Sequence, residues 1–219
     1  MQEAFSFPKK NQFLFEDFVF LPENKTANQV LNNFFAQDNF ELAKLPNLIL
    51  QGSKSCGKTH LLHILARKFN AKFLQKAEIN KENLVKILQK NNFYIFENID
   101  AILDDELLFH LINAAIEAKS FLLFSLQDFQ SFQLKDLVSR LKNIFICRIE
   151  NLEKESLEIL VSNYLARRQI KLSSQAINLI CQHCKFDYLD VLEKVNWVEE
   201  FCHKNKGEVF LKDLRELLG

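Results

Sequence analysis

The sequence predicts an α/β fold: a three-layer arrangement with a parallel five-stranded sheet, followed by a small all-α lid domain. Three observations predict it. Short, nearly continuous apolar runs alternate with helical patterns as far as Glu150, and such runs suit strands buried on both faces of a parallel sheet. A glycine-bearing turn, Gly52-Ser53-Lys54-Ser55-Cys56-Gly57-Lys58-Thr59, stands between one apolar run and a long helical pattern. Beyond Glu150 the strand runs stop and helical periodicity alone continues.

Residues 1–25 scatter Phe5, Phe7, Phe13, Phe15, Phe18, Val19 and Phe20 among polar residues, with Pro8 and Pro22, and read as an extended arm. Residues 26–36 read as a helix with Val30, Leu31, Phe34 and Phe35 on one side. Leu48-Ile49-Leu50 is a buried strand running into Gly52, and Lys58 to Phe69 is a helix with Leu61, Leu62, Leu65 and Phe69 inward. The alternation then repeats: strand Phe73-Leu74, helix 81–90, strand Phe93 to Phe96, helix from about 104 to 119, strand Phe121 to Ser125, helix 133–142, strand Ile144 to Cys147. Helical patterns over 153–169, 173–185, 187–204 and 209–218 complete the chain. The expected organisation is an N-terminal arm (1–25), a nucleotide-binding α/β domain (26–150) and a helical lid (151–219).

The 219 residues are 48% hydrophobic and 26% charged, enough to build an ample core. Net charge is zero and the pI is near 7, which disfavours strong independent DNA binding, because gripping a phosphate backbone calls for a basic excess. No stretch approaches the ~20 apolar residues of a membrane span, and the N-terminus lacks the basic start and apolar run of a secretion signal. A cytoplasmic location with reduced thiols is expected. Cys181, Cys184, Cys202 and His203 could be assembled as four zinc ligands. Cys181 and Cys184 instead continue the apolar helical pattern of Ile177 and Ile180, without a Gly or Pro turn, and read as small packing residues.

The turn at 52–59 has the pattern Gly-x-x-x-x-Gly-Lys-Thr. Gly52 and Gly57 permit backbone conformations that other residues resist, so successive N–H groups can converge on one phosphate. Lys58 reaches the outer phosphates, the Thr59 hydroxyl ligates Mg²⁺, and the helix aims its positive end at the anion. Ser53, Lys54, Ser55, Cys56 and the following His60 complete the expected cradle, with ATP or ADP and Mg²⁺ as its ligands. At the end of the third strand, Glu97-Asn98-Ile99-Asp100 supplies the partner acid. Glu97 is the expected metal-side carboxylate. Asn98 follows, where an acid polarising the attacking water is expected, and an amide cannot accept that proton. Hydrolysis at this site is expected to be weak, and Asp100 lies past the strand end.

These residues resemble the AAA+ DnaA-related family of replication initiators, and within it the Hda type of regulator. The resemblance covers nearly the whole chain. Gly52 to Thr59 matches the Walker A loop, and Glu97-Asn98-Ile99-Asp100 is similar to a Walker B segment with its two acids interchanged. Asp136-Leu137-Val138-Ser139-Arg140-Leu141 is similar to the family's Asp-Leu-x-Ser-Arg-Leu box, which implies that Arg140 is an arginine finger acting in trans. Phe18 to Asn24 resembles the segment near the adenine. Gln2, Phe5 and Phe7 resemble a short terminal motif that docks into the DNA polymerase sliding clamp. Leu189 falls where the family carries its sensor-2 Arg, and Ser125 and Gln127 are the candidates for sensor 1. The resemblance implies DnaA and the clamp as partners, a nucleotide-dependent homo-oligomer as one state, and a role in restraining replication initiation by promoting hydrolysis of DnaA-bound ATP. An ATP-dependent helicase loader and a degenerate P-loop scaffold are the alternatives.

Overall fold

The computed structural model describes residues 13–35, 47–205 and 211–218. Five parallel strands, β1 (Leu48–Gly52), β2 (Lys72–Phe73), β3 (Phe93–Phe96), β4 (Phe121–Leu126) and β5 (Phe145–Ile149), form one sheet in the order β2-β3-β4-β1-β5. β1 is an interior strand: Leu48, Ile49 and Leu50 are almost fully buried, and each pairs with β4 on one side and β5 on the other.

Helices cover both faces, as the apolar strands require. On one face α1 (Lys25–Phe35) and α2 (Lys58–Phe69) cover Leu48, Leu50, Phe93, Ile95 and Leu123. On the other, α5 (Asp105–Ala118) and α6 (Lys135–Lys142) cover Ile49, Tyr94, Phe96, Leu122 and Phe124. The alternation along each strand thus sends odd and even positions to different helices. Two single-turn helices, α3 (Leu84–Ile87) and α4 (Ile99–Ile102), lie in the connections.

The helical region consists of α7 (Lys154–Arg167), α8 (Ser174–His183), α9 (Tyr188–Lys204) and α10 (Leu211–Leu218). Leu157, Leu160, Val161, Ile180, Val191, Val195, Val198 and Leu214 form its core. Val19 and Leu21 belong to that same core, whereas Phe18 joins the α1–α2 core. Residues 13–24 are therefore packed chain with two 3-10 turns, Phe15–Asp17 and Pro22–Asn24, rather than an extended arm. The reason is that adjacent apolar residues there alternate between two cores.

The helix expected over 81–90 shrinks to Leu84–Ile87. Asn80 Oδ1 accepts the N–H groups of Glu82 and Asn83, and Asn83 Oδ1 accepts that of Asn80. Asn side chains thereby compete with the helix for its backbone donors. At the other end Tyr94 Oη donates to Ile87 O and accepts from Gln89 N, closing the turn. The last strand runs two residues beyond expectation, to Ile149, because Arg148 and Ile149 still register with Gln51 and Gly52.

Candidate functional site

The loop after β1 has the backbone its composition demands. Gly57 has φ +98°, and Ser55 also lies in the left-handed region, at φ 64°. A Cβ on Gly52 would stand 2.7 Å from both Cys56 Sγ and Ile149 O, so only glycine fits between loop and β5. A Cβ on Gly57 would stand 3.3 Å from the Phe18 ring. Gly57 is the N-cap of α2, and no side chain caps that end. The first-turn N–H groups of this 12-residue helix thus keep their capacity for an anion.

Lys58 is only 6% exposed. Its Nζ donates to Gly52 O at 2.8 Å and Ser53 O at 2.7 Å, curling the side chain over the loop. Cys56 is buried beneath, with Sγ 3.9 Å from Lys58 Nζ. Burial raises the Cys56 thiol pKa, and Lys58 only partly offsets this, so the loop presents no thiolate to repel a phosphate. Ser53, Lys54 and Thr59 are exposed at the loop surface. His60 is turned aside: its Nε2 pairs with Leu14 O at 2.8 Å and its ring meets Phe18 edge-on.

Glu97 and Asp100 frame the end of β3. Glu97 Oε1 and Asp100 Oδ1 are both buried and without a hydrogen-bond partner among the described residues. Buried acceptors left unpaired cost free energy, and a hard cation with oxygen ligands is a suitable partner for them. The residues therefore fit a phosphate-bearing ligand with its Mg²⁺: a cradle without room for a Cβ, a buried ammonium, an exposed Thr59 hydroxyl and unpaired carboxylate oxygens.

Asn98 adopts the left-handed region at φ 51° and is exposed. Its N–H donates to Ser125 Oγ at 2.9 Å, and Gln127 N donates to Asp100 Oδ2 at 2.8 Å. The two sensor-1 candidates thus differ. Ser125 is 1% exposed and its oxygen fixes the end of β3, while the Gln127 side chain is exposed. Leu189 lies in the first turn of α9 and is 57% exposed, with its N–H accepted by the N-cap Asp187 at 2.7 Å.

Arg140 is exposed on α6, its guanidinium carbon 4.7 Å from the centre of the Phe109 ring. α6 covers the face of the sheet opposite α2, so Arg140 and the loop belong to different layers. Gln2, Phe5 and Phe7 lie outside the described residues. Cys181 and Cys184 are half-buried, Cys202 is buried and His203 is exposed. Among the described residues no group of three or more His, Cys, Asp or Glu side chains is placed to hold a metal ion.

Tyr188 and Phe109 escaped the sequence reading, and Glu23 entered it only within the segment Phe18 to Asn24. Glu23, 6% exposed, accepts from Glu153 N and Ser156 Oγ, tying the turn before α1 to the start of α7. Tyr188, at the start of α9, packs against both the α1–α2 core and the helical core. Phe109 lies beneath Arg140. None has a local signal, since each partner lies far along the chain.

The arrangement of sheet and helices is shared with solved structures of DnaA and RuvB. The chain is similar to domain III of the Thermotoga maritima replication initiation protein DnaA, at 18% identity and TM-score 0.73, covering 97% of this chain and 98% of that one. AMPPCP-bound DnaA from Aquifex aeolicus matches at 17% identity and TM-score 0.65, over 88% of this chain and 65% of that one. The Thermotoga maritima RuvB branch migration motor matches at 15% identity and TM-score 0.65, over 88% and 65%. No family model and no curated protein sequence matches the chain. No helix among the described residues is long and apolar enough to cross a membrane.

Proposed function

We propose that this chain is a nucleotide-binding AAA+ regulator of replication initiation that promotes hydrolysis of ATP bound to a DnaA-type initiator. The observation that carries this reading is the division of labour between the two sheet faces. The phosphate-loop helix α2 lies on one face and Arg140 stands exposed on the other. A cation so placed is suited to a neighbouring chain's nucleotide. Arginine fingers given in trans contribute ~10³–10⁵ in rate in other phosphoryl-transfer systems.

In its own site, the loop N–H groups and Lys58 hold the phosphates of ATP or ADP, and Thr59 and Glu97 hold Mg²⁺. The metal, when bound, neutralises phosphate charge. Asn98 lacks a basic group for the attacking water and Leu189 lacks a cation for the outer phosphate, so transition-state stabilisation at this site is weak. Gln2, Phe5 and Phe7 dock the protein on the sliding clamp, which brings it to initiator on DNA in the cytoplasm. A nucleotide-dependent homo-oligomer uses the same surface as the donated finger.

A phosphate-release assay tests the proposal, with chain, initiator, clamp and DNA each left out in turn. Negligible turnover by the chain alone, with stimulation of the initiator that is lost in Arg140→Ala, is expected. Brisk turnover by the isolated chain would instead favour the helicase-loader reading. The unpaired Asp100 Oδ1 beside β4 is the observation on that side, because it could serve as the missing base.

A further inference from the structure

The helix that carries Arg140 is held to α5 at two points one turn apart. Asp105, in the first turn of α5, accepts through Oδ2 from Gln133 N at 2.7 Å and Leu134 N at 2.6 Å. Those two residues immediately precede α6. Four positions on, Phe109 lies under the Arg140 guanidinium, 4.7 Å from ring centre to carbon. Positions i and i+4 share one face of a helix. A single face of α5 therefore sets where α6 begins and where its exposed cation comes to rest. Leu137 and Leu141, both fully buried, fix the roll of α6 about its axis.

Resting on the reading of Arg140 as a donated finger, we propose that Phe109 is the positioning residue that holds its guanidinium ready for a neighbour's phosphate. A free Arg side chain must surrender rotamer freedom when it engages a ligand. One already resting on an aromatic ring has surrendered much of it beforehand. Contact with the ring takes up none of the five guanidinium N–H donors in a conventional hydrogen bond and leaves them for a phosphate. Among the described residues no side-chain hydrogen bond or ion pair to Arg140 takes them up. Phe109 is itself half-buried against the α5–α6 core, so its ring is fixed before any partner arrives.

The experiment is the same phosphate-release assay at saturating initiator, run with Phe109→Leu, Phe109→Met and Phe109→Tyr beside Arg140→Ala, each variant first checked by thermal melting. Leu and Met fill the space without a π face, while Tyr retains it. A cation–π contact at an exposed site corresponds to about a two- to five-fold effect. Phe109→Leu and Phe109→Met should lower stimulation by that factor, and Phe109→Tyr should restore it, with nucleotide affinity of the chain unchanged throughout. Full stimulation by the Leu and Met variants, with loss in Arg140→Ala, overturns the role of Phe109 and leaves the donor reading standing. Increased stimulation by those variants also overturns it, because the ring would then be a latch. Equal losses in the Tyr, Leu and Met variants reduce Phe109 to a packing residue. Unchanged stimulation by Arg140→Ala removes both proposals together.

Discussion

Asn98 donates its backbone N–H to the buried hydroxyl oxygen of Ser125, 2.9 Å away, and this bond joins the C-terminal ends of β3 and β4. A second bond, from Gln127 N to Asp100 Oδ2, repeats the link two residues on. Together they hold Glu97 and Asp100 at the C-terminal end of the strands, beside Asn98, whose left-handed backbone is one that this residue type tolerates. Ser125→Ala removes the first acceptor and should lower stability by about 1 kcal/mol. Urea denaturation checks this; a midpoint equal to wild type would mean that Asn98 N finds another partner without cost.

Lys58→Ala should weaken binding of both ADP and ATP by about 1.5–3 kcal/mol, the worth of hydrogen bonds to charged groups. The side chain is buried and already aimed along the loop, so little ordering is left to do on binding. Calorimetric titration gives the answer, and equal affinity in the variant would remove the phosphate-loop assignment.

Gly52→Ala should also abolish tight nucleotide binding, for a steric rather than an electrostatic reason. The new Cβ meets the backbone oxygen of Ile149, which is held in the sheet and cannot withdraw as a flexible side-chain end could. The loop must shift away from β5 and the convergence of its N–H groups is lost. Fluorescent-nucleotide titration distinguishes this from Gln51→Ala, which should bind as wild type does.

His60 makes stability depend on pH in one direction. Burial lowers its pKa, and the hydrogen bond with Leu14 O only partly opposes this. In the unfolded chain the ring takes up a proton as the pH falls through about 6.5; in the folded protein it does so only at lower pH. Between those two values the unfolded chain binds more protons. Stability from this group is therefore whole above about pH 6.5 and declines as the pH falls toward the folded value. Denaturation midpoints at about pH 7.5 and about pH 5.5, spanning the histidine range, should diverge more for the wild type than for His60→Gln. Parallel behaviour would exclude His60 as the source.

Glu23→Ala should cost more than an ordinary surface change, although Glu23 sits in a turn. Its carboxylate receives Glu153 N and Ser156 Oγ, and its own carbonyl receives Glu150 N. Leaving the two side-chain partners unpaired costs about 1–3 kcal/mol each. Thermal melting with and without ADP checks it. The ADP-induced rise in Tm should also shrink, because the turn before α1 would no longer be fastened to α7.

What the sequence determined by itself was local in its physics. The loop after β1 needs glycine at two nearby positions, and the apolar runs and helical spacings give most strands and helices within a residue or two. One exception, α3, failed where Asn80 and Asn83 offered the backbone a competing set of bonds. The tertiary structure alone decided which distant groups meet. Ser125 lies 27 residues from Asn98, and Ser156 lies 133 from Glu23. Arg140 reaches its ring only because β4 carries the chain across the sheet between α5 and α6. Periodicity records which face of an element is apolar, but not which polar or aromatic group another element brings beside it. That choice is made by strand order and register, where the burial of both sheet faces outweighs any preference of a single residue.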